Sequence, residues 1–345
     1  MGDPIISIVI PAYNRKDLLK ECLDSLFDQT YPKEDYEIVV VDDGSTDGTE
    51  DMLKAMAAEH GNLRYFRQEN GGMFPAWNKA ASLAKGDILV MTDSDCVAGT
   101  NLLEAIVKCF KNHPDISACA WKTIPVFSGG IFSPVSEYLK SYYSALHSED
   151  TVFPEPNPSM VFGSCSGAVK RDVFWSIGGF AKKFAKATGG ADADLGFRIL
   201  SSGNKVAYLA GAYIYHRQRN SLKELMTRHF KFGVIDTVNF KDNFKKWAVI
   251  FLPSGKCFCA RNSPVTVSVY LSSFEIVGIL VFISFFFPKI GGILLLAYFI
   301  KGYAFSKSNR NLSEYFSYKL YQLFILSASF AGHIVGSIKN RVICI

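Results

Sequence analysis

The stretch GDILVMTDSDC at residues 86–96 decides the fold, because an apolar run ends there abruptly in two aspartates. The run Ile88 to Met91 is typical of a buried strand in a parallel sheet, whose two faces are both covered. In open α/β sheets, ligands bind beyond the carboxyl ends of the strands, where Asp93 and Asp95 stand. Two carboxylates there suit Mg²⁺ or Mn²⁺ holding a diphosphate. Asp and Ser are also common turn residues, so this motif alone leaves a metal site and an acidic turn both open.

Strand and helix patterns alternate on both sides of this stretch. Apolar runs predict strands at 5–10, 37–41, 62–67, 88–91, 116–122 and 206–215. Helical spacing of apolar residues predicts helices over 15–29, 49–59, 75–84, 102–112, 171–177, around 197–200 and over 222–232. The pattern in residues 123–160 is weaker, with a helix over 138–147. The alternation predicts an α/β fold with a Rossmann-like, mostly parallel sheet and right-handed crossovers.

Charge and apolarity are divided unevenly along the 345 residues. From His216 onward there are 17 Lys and Arg against 5 Asp and Glu, whereas the preceding residues carry 20 against 27. A basic, apolar C-terminal third behind an acidic part favours contact with a membrane surface that carries anionic lipid. The sequence contains neither a helix-turn-helix pattern nor a basic-aromatic RNA platform, so nucleic acid is not an expected partner.

Three apolar segments follow residue 264. Residues 265–287 contain one charged residue, Glu275, and are long enough to span a bilayer. Residues 290–305 are shorter and complete a hairpin if the membrane is locally thin. The third segment, 320–338, either spans the membrane or lies in its interface, because Gln322 and several serines dilute its apolar character.

These features divide the chain into three parts. We expect a catalytic domain at 1–235, an interfacial linker at 236–264 and an α-helical membrane region at 265–345. Lysines and arginines after the second apolar segment place that loop on the side of the soluble domain. No cleavable signal precedes the first strand, and the eight cysteines form no C-x-x-C pair, so we interpret them as reduced thiols. The expected location is the cell membrane, multi-pass, with the catalytic domain in the cytoplasm.

Four ordered motifs together resemble a known family. They are SIVIPAYNR at 7–15, VVVDDGSTDGT at 39–49, GDILVMTDSD at 86–95 and GGADADLGFRI at 189–199. In this order and spacing they resemble the inverting family 2 glycosyltransferases of GT-A fold, the fold of nucleotide-diphospho-sugar transferases. The resemblance covers about residues 5–235 and implies a UDP- or GDP-sugar donor. The terminal apolar segments resemble those of members that act on lipid-linked or cell-envelope glycan acceptors.

The resemblance implies that the loop after the first strand and the acidic end of the second strand hold the nucleoside. By position, Pro11, Ala12, Tyr13 and especially Asp43 are expected to contact the donor. An aspartate can accept the imide N–H of uracil or the donors of guanine, and the sequence does not choose between the two bases. Asp43 and the residues after it also suit a cap for the next helix, and both roles can hold together.

Further substrate-binding candidates are Arg15, Gly72, Gly167 and Asp194. Gly72 belongs to a glycine turn, and Gly167 lies in FGSCSGAVK at 162–170, whose small residues at alternate positions let a substrate approach the backbone. Arg15 is a weak substitute for a pyrophosphate contact that members of the family commonly take from another arginine. Asp194 suits a structural role equally well, as the N-cap of the helix that follows.

The same resemblance implies a metal site and a catalytic base. Asp93 and Asp95 match the family's metal-binding DxD, and Asp95 is expected to bond directly to the Mg²⁺ or Mn²⁺ ion. His216 resembles a histidine that in some GT-A enzymes completes metal or diphosphate binding, although a histidine after a strand is commonly structural. Asp192 matches the base that takes the proton of the acceptor hydroxyl during in-line attack. A helix cap is the alternative role for Asp192.

Three features depart from the family's pattern. Ala191 stands where the family usually has Glu, Trp77 stands where Arg is common, and no Q-x-x-R-W follows the basic helix. The last departure favours a non-processive enzyme. The predicted function is a membrane-anchored, metal-dependent, non-processive, inverting glycosyltransferase of hexosyltransferase type. Two alternatives stay open: a polyprenyl-phosphate sugar synthase, which needs no general base, and a membrane-anchored nucleotide-binding protein whose catalytic site has decayed.

Overall fold

The computed structural model describes residues 5–127, 129, 132–137, 150–153, 162–185, 189–218, 221–244, 248–251, 257–260, 267–270, 289–290, 293 and 312–344. The chain divides into two compact units, residues 1–125 with 147–217 and residues 126–146 with 218–345. The predicted boundary of the catalytic domain at residue 235 lies beyond the end of the first unit and stays a prediction.

The first unit begins with a parallel sheet. Its elements are β1 (Ile6–Ala12), α1 (Lys16–Phe27), a 3₁₀ turn (Lys33–Asp35), β2 (Tyr36–Asp42), α2 (Thr49–Glu59), β3 (Leu63–Arg67), α3 (Met73–Leu83) and β4 (Ile88–Met91). The strands are parallel in the order β3-β2-β1-β4. Every residue of β1, β2 and β4 is buried, as expected for strands covered on both faces. The predicted end of β1 at Pro11 is wrong: the strand continues and Pro11 lies opposite Val41, because the fixed φ of proline is compatible with extended backbone.

The rest of this sheet is antiparallel. Its elements are β5 (Cys96–Ala98), α4 (Leu102–Asn112), β6 (Ile116–Phe127), β7 (Thr151–Phe153), β8 (Gly167–Lys170), α5 (Arg171–Ser176), a 3₁₀ turn (Lys182–Phe184), α6 (Ala191–Ser201) and β9 (Lys205–Gln218). β8 runs antiparallel to β4 and β6, and β9 runs antiparallel to β5 and β7. The expectation of a mostly parallel sheet therefore holds for β1 to β4 only, and the sheet as a whole is mixed. The predicted helix over 138–147 lies outside the described residues.

A buried polar network fixes the amino ends of the parallel strands. The Glu37 carboxylate accepts hydrogen bonds from the Ser7 hydroxyl at 2.7 Å, the Lys85 amide at 2.6 Å and the Arg64 guanidinium at 2.6 Å. The Ser7 hydroxyl in turn accepts from the Gly86 amide at 2.8 Å. A buried carboxylate is tolerated when it is paired and hydrogen-bonded in this way. The network therefore aligns β1, β2 and the start of β4, whose opposite ends carry the acidic motifs.

The second unit contains two long helices and a small sheet. Its elements are α7 (Leu222–Asn243), β10 (Ala248–Phe251), β11 (Cys257–Ala260), β12 (Val267–Tyr270), α8 (Leu312–Asn340) and β13 (Ile343–Cys344), with strand order β11-β10-β12-β13. The basic helix predicted over 222–232 is longer than expected. The strand β12 stands at the start of the predicted span 265–287, and the rest of that span and most of 290–305 lie outside the described residues. The third predicted segment, 320–338, lies within α8.

Helices α7 and α8 pack closely through small residues. Gly233 of α7 lies against main-chain atoms of α8, and Gly332 of α8 lies against main-chain atoms of α7. Gly336, one turn further along α8, faces the side chain of Thr237. A Cβ atom at any of these glycines would collide with its neighbour, so the close approach of the two helices depends on them.

Gly86→Ala is expected to destabilise the first unit. A Cβ atom at residue 86 would lie 2.6 Å from the carbonyl carbon of Ile6 and 2.6 Å from the amide nitrogen of Ser7, so β1 would have to shift. Overpacking of this kind costs about 1–3 kcal/mol. Gly61→Ala is the matched control, because nothing lies within 4 Å of the added Cβ there and both changes restrict the unfolded chain similarly. Equal melting temperatures for the two variants, measured by thermal unfolding, would contradict the packing argument.

Candidate active site

The loops after β1 and β2 are tied together. The Asn14 amide donates to the Ser45 hydroxyl at 2.9 Å, and the Thr46 amide donates to the Asn14 side-chain oxygen at 2.8 Å. Asn14 adopts a positive φ of 51°, which asparagine tolerates better than most residues. These contacts leave Tyr13 half exposed, at 50%. The predicted nucleoside loop therefore has a fixed backbone and an accessible aromatic ring.

Asp43 is buried and holds the glycine turn that precedes α3. Its Oδ1 accepts from the Gln68 side chain at 2.7 Å and the Gly71 amide at 2.9 Å, and its Oδ2 accepts from the Gly72 amide at 2.9 Å. The Asp43 amide donates to the Ala12 carbonyl at 2.8 Å. The structure thus places three predicted nucleotide-binding residues, Ala12, Asp43 and Gly72, side by side.

The side-chain contact with the start of α2 is made by Asp47, next to the N-cap residue Gly48, and not by Asp43. The Asp47 carboxylate accepts from the Thr49 amide at 3.1 Å, at the start of α2, and from the Lys16 amide at 2.9 Å, at the start of α1. Burial alone would raise the pKa of Asp47, but hydrogen bonds from the Thr49 hydroxyl and these two amides lower it below its usual value. The cap interpretation of Asp43 is therefore wrong, and its carboxylate is available to organise the glycine turn.

Asp95 lies between two cationic side chains. Its Oδ2 accepts from the Arg15 guanidinium, and its Oδ1 is 3.1 Å from His216 Nε2. Ligand atoms of Asp93, Asp95 and His216 all lie within 4.8 Å of one another. Two carboxylates and an imidazole form a donor set that suits a divalent cation such as Mg²⁺ or Mn²⁺. The structure therefore brings together the three predicted metal ligands and adds Arg15 to them.

His216 lies within β9 rather than at its end, paired with Cys96 of β5. Burial lowers the pKa of His216, but its hydrogen bond to Asp95 and the charges of Cys165, Asp95 and Asp93 raise it more, to about 9. The neighbouring carboxylates therefore favour the charged form of the imidazole.

Two cysteines that the sequence identified only as reduced thiols border this cluster. Ligand atoms of Cys96, Cys165 and His216 lie within 4.8 Å of one another, and Cys165 Sγ is 3.7 Å from the Thr123 hydroxyl. A hydrogen bond from the Cys96 thiol and the nearby His216 together lower the pKa of Cys165 to about 6, against the opposing effect of burial. No sequence pattern pairs these cysteines, because they lie on different elements and meet only in the folded sheet.

Asp192 stands at the first turn of α6 next to Cys165. Its Oδ2 accepts from the Ser164 amide at 3.2 Å and its Oδ1 accepts from the Ala193 amide at 3.0 Å. The Asp192 carboxylate is half buried. Its charge acts to raise the pKa of the nearby Cys165 thiol, against the groups that lower it. The segment 163–165 therefore connects the predicted base to the Asp93–Asp95–His216 cluster.

Asp194 has a different environment from Asp192. Its carboxylate is buried and pairs with Arg198 Nε at 2.7 Å and Lys183 Nζ at 3.1 Å. Arg198 also donates to the carbonyls of Ile177 at 2.7 Å and Gly179 at 2.8 Å. The N-cap of α6 is Gly190 and not Asp194. These contacts favour a structural role for Asp194, which ties α6 to the turn after α5, over the substrate contact predicted by position.

The unusual Trp77 is a core residue. It is fully buried in α3, with its ring centroid 5.9 Å from that of Phe180. The neighbouring Asn78 exchanges two hydrogen bonds of 2.9 Å with the backbone of Phe180. Ala191 is likewise fully buried. Both departures from the family's pattern therefore place apolar side chains in the core.

The two predicted glycines lie at close approaches. A Cβ at Gly72 would lie 2.5 Å from the Ala185 carbonyl oxygen, and one at Gly167 would lie 2.7 Å from the Phe162 ring. Gly72 also has a positive φ of 95°. These positions require glycine for packing, so substrate contacts at them stay predictions.

A mixed sheet whose parallel strands end at a crevice of carboxylates is the architecture of a GT-A-like glycosyltransferase. Residues 7–178, about half of the chain, match the family described as Glycosyl transferase family 2. This part of the chain is a family 2 glycosyltransferase domain, in agreement with the three sequence motifs that lie within it, at 7–15, 39–49 and 86–95.

Named relatives and solved structures share this domain. The poly(ribitol-phosphate) beta-glucosyltransferase of Bacillus spizizenii is 46% identical over 118 residues, which cover 32% of this chain and 18% of that protein. S. aureus TarS 1–349 in complex with UDP-GlcNAc has a TM-score of 0.53 at 20% identity, covering 69% of this chain and 67% of that chain. The mannosyltransferase PcManGT of Pyrobaculum calidifontis, in complex with GDP-Man and Mn²⁺, has a TM-score of 0.56 at 18% identity, covering 99% and 88%. The matches with curated relatives span 18% to 52% of the relatives' lengths.

Asp194→Asn is expected to destabilise the protein more than Asp192→Asn. The first change removes the charge that Arg198 and Lys183 pair with in a buried position, at a cost of about 2 kcal/mol. The second keeps an oxygen that can accept from a backbone amide, so its melting temperature should stay near that of the wild type. Thermal unfolding of the two isosteric variants checks this, and a larger loss for Asp192→Asn would contradict the structural role of Asp194.

Proposed function

We propose that the protein is a metal-dependent, non-processive, inverting glycosyltransferase attached to a membrane. It would transfer a sugar from a UDP- or GDP-sugar to a lipid-linked or cell-envelope glycan acceptor. The observation that carries the proposal is the placement of the Asp93–Asp95–His216 cluster beside the carboxylate of Asp192, through the 163–165 segment. Leaving-group chemistry and acceptor chemistry can therefore take place in one crevice.

The donor's nucleoside is assigned to the tied loops after β1 and β2. Tyr13 offers an exposed ring, and the fixed turn of Asp43 and Gly72 presents main-chain groups beside it. The Asp43 carboxylate accepts hydrogen bonds from the Gly71 and Gly72 amides. Its proposed role is therefore to shape the nucleoside pocket as well as to contact the base of the donor. The UDP-GlcNAc bound by TarS and the GDP-Man bound by PcManGT support a nucleotide-sugar donor and leave the base open.

The donor's diphosphate is assigned to the metal cluster. Asp95 and Asp93 would hold the divalent cation with His216, as their donor atoms suggest. When bound, the cation would neutralise charge on the departing nucleoside diphosphate. The Arg15 guanidinium, already paired with Asp95, would add a second positive group beside the leaving diphosphate. The Mn²⁺ bound by PcManGT supports metal use, and the choice between Mg²⁺ and Mn²⁺ stays open.

Acceptor activation is assigned to Asp192. Inversion needs a single carboxylate that takes the proton of the attacking hydroxyl on the face opposite the leaving group. Hydrogen bonds from the Ser164 and Ala193 amides would orient this carboxylate. Because Asp194 is occupied by Arg198 and Lys183, it supplies no second nucleophile of the kind that a double displacement requires.

Membrane attachment is assigned to the C-terminal part. Within the described residues, one helix is long and apolar enough to cross a bilayer, over Ser317–Asn340. One side of α8 packs on α7, while Leu320, Ile334 and Ile338 are exposed, the last at 75%. Burial of such side chains in lipid is favourable at roughly 25 cal/mol per Å². Attachment there would hold the protein at the membrane, where lipid-linked acceptors are presented.

Asp192→Asn is expected to lower release of UDP or GDP from a panel of nucleotide sugars by about 100-fold or more, since the general base is lost. Binding of the nucleotide, measured as the rise in melting temperature with UDP or GDP, should be kept. EDTA should abolish the wild-type activity and added Mn²⁺ should restore it. The assay uses the full chain in detergent or nanodiscs.

Asp172→Asn is the matched control. Asp172 also accepts a hydrogen bond from the next residue's amide at a helix start, at 2.7 Å, but it is exposed and remote from the cluster, so activity should be unchanged. Substantial transfer by Asp192→Asn to a polyprenyl phosphate would favour the sugar-phosphate synthase instead. A wild-type protein with neither turnover nor nucleotide binding would favour a decayed site.

The double change Ile334→Glu with Ile338→Glu is expected to release the protein from membranes of expressing cells, because two charges would enter the lipid-facing side of α8. Val152→Glu, at an exposed apolar residue of β7, is the control and should leave the protein in the membrane fraction. The measurement is fractionation followed by a carbonate wash. Recovery of the wild type in the soluble fraction would contradict the proposed attachment to a membrane.

A further inference from the structure

A second donor set, made of two sulfur atoms and an imidazole, overlaps the carboxylate cluster. Ligand atoms of Cys96, Cys165 and His216 all lie within 4.8 Å of one another. His216 belongs to both sets, because its ligand atoms also lie within 4.8 Å of those of Asp93 and Asp95. The crevice therefore offers two alternative groups of ligands that share one histidine.

The sulfur set is held by three separate elements. Cys96 of β5 and His216 of β9 are direct partners across the antiparallel pair. Cys165 belongs to the turn before β8, where the Ser166 amide donates to the Gly163 carbonyl at 3.1 Å. Its sulfur lies 3.7 Å from the Thr123 hydroxyl of β6. Strand pairing and this turn therefore keep the three ligands close together in the folded sheet.

The spacing is compatible with tetrahedral zinc. Zn–S bonds of about 2.3 Å and Zn–N bonds of about 2.0–2.1 Å put neighbouring ligand atoms roughly 3.5–3.8 Å apart. Ligand atoms that lie within 4.8 Å of one another are at most about 1.3 Å beyond that spacing. Two cysteines and one histidine leave a fourth position for water, as in open zinc sites.

The two donor sets select different cations. Carboxylate oxygens suit Mg²⁺ and Mn²⁺, whereas thiolate sulfur selects Zn²⁺ and other thiophilic ions. Binding through these ligands requires both cysteines as thiolates and His216 as neutral imidazole, so any protons that these groups carry are released to solvent. Because His216 cannot ligate both ions at once, occupation of the sulfur set would remove one ligand from the carboxylate set.

We propose that Cys96, Cys165 and His216 form an inhibitory site for a thiophilic divalent cation such as Zn²⁺. Its occupation withdraws His216 from Asp95 and so weakens the catalytic cation. The proposed inhibition rests on the proposed function, whereas the proposed binding of a cation by these three residues does not. The site explains why cysteines border a crevice whose catalytic chemistry uses oxygen and nitrogen ligands.

Binding is tested with Cd²⁺, a thiophilic ion whose thiolate complexes absorb in the ultraviolet. The reduced, EDTA-treated full chain is titrated under anaerobic conditions, and the charge-transfer absorption should saturate near one equivalent. Cys165→Ser and Cys165→Ala should both lose this absorption, with melting temperatures showing that they are folded. Cys109→Ser is the matched control, since Cys109 is a buried thiol that hydrogen-bonds to another thiol, Cys119, and should keep it.

Inhibition is tested separately. Zn²⁺ should inhibit the Mn²⁺-supported release of nucleoside diphosphate, with less inhibition at higher Mn²⁺, and Cys165→Ser should need about tenfold more Zn²⁺ or higher. Cys109→Ser should respond as the wild type does. An active enzyme without the Cd²⁺ absorption would overturn the proposed site and leave the proposed function standing. The absorption in an inactive protein would support the site while the proposed function fails.

Discussion

The ion pairs of Asp95 are the interaction on which the site depends. Its carboxylate is contacted by Arg15, which follows β1, and by His216, which lies in β9. Its carbonyl accepts from the Arg217 amide at 2.9 Å. One residue thus joins the parallel and antiparallel parts of the sheet at the point where the crevice opens. Acidic groups converge there because parallel strands end at a common edge, and their mutual repulsion is offset by these cations.

The contacts at the amino ends of the parallel strands make this convergence possible. Glu37 is satisfied by Ser7, Lys85 and Arg64, which fixes the relative positions of β1, β2 and β4. Because each strand has a defined length, fixing the amino ends also fixes where Ala12, Asp43 and Asp93 emerge. This polar network therefore determines the spacing of residues to which donor binding is assigned.

The sequence was sufficient to predict β1 to β4, because β1, β2 and β4 are mostly apolar runs and a polar turn follows each of the four strands. It did not reveal β5 and β7, which have three residues each and are too short to show a period. β8 pairs antiparallel with β4 and β6, and β9 pairs antiparallel with β5 and β7. These pairings depend on contacts between segments that are distant in the sequence. Asp93, Asp95 and His216 were predicted from their resemblance to residues of the family. Cys165 and the contact of Asp47 with the start of α2 depend on how loops meet in the folded protein, so the sequence did not reveal them.

The difference between Asp192 and Asp194 follows from helix geometry. Residues two apart on an α-helix point roughly 200° apart around its axis. When α6 packs with its fully buried Ala191 against the core, Asp194 is turned inward to Arg198 and Lys183, and Asp192 is turned toward the 163–165 segment. An inward acid needs cationic partners, and an outward acid beside main-chain amides can exchange a proton with a ligand. Ala191 in place of Glu is compatible with this division, because a third carboxylate in the same turn would be buried beside Asp194 and would raise the electrostatic cost of the fold.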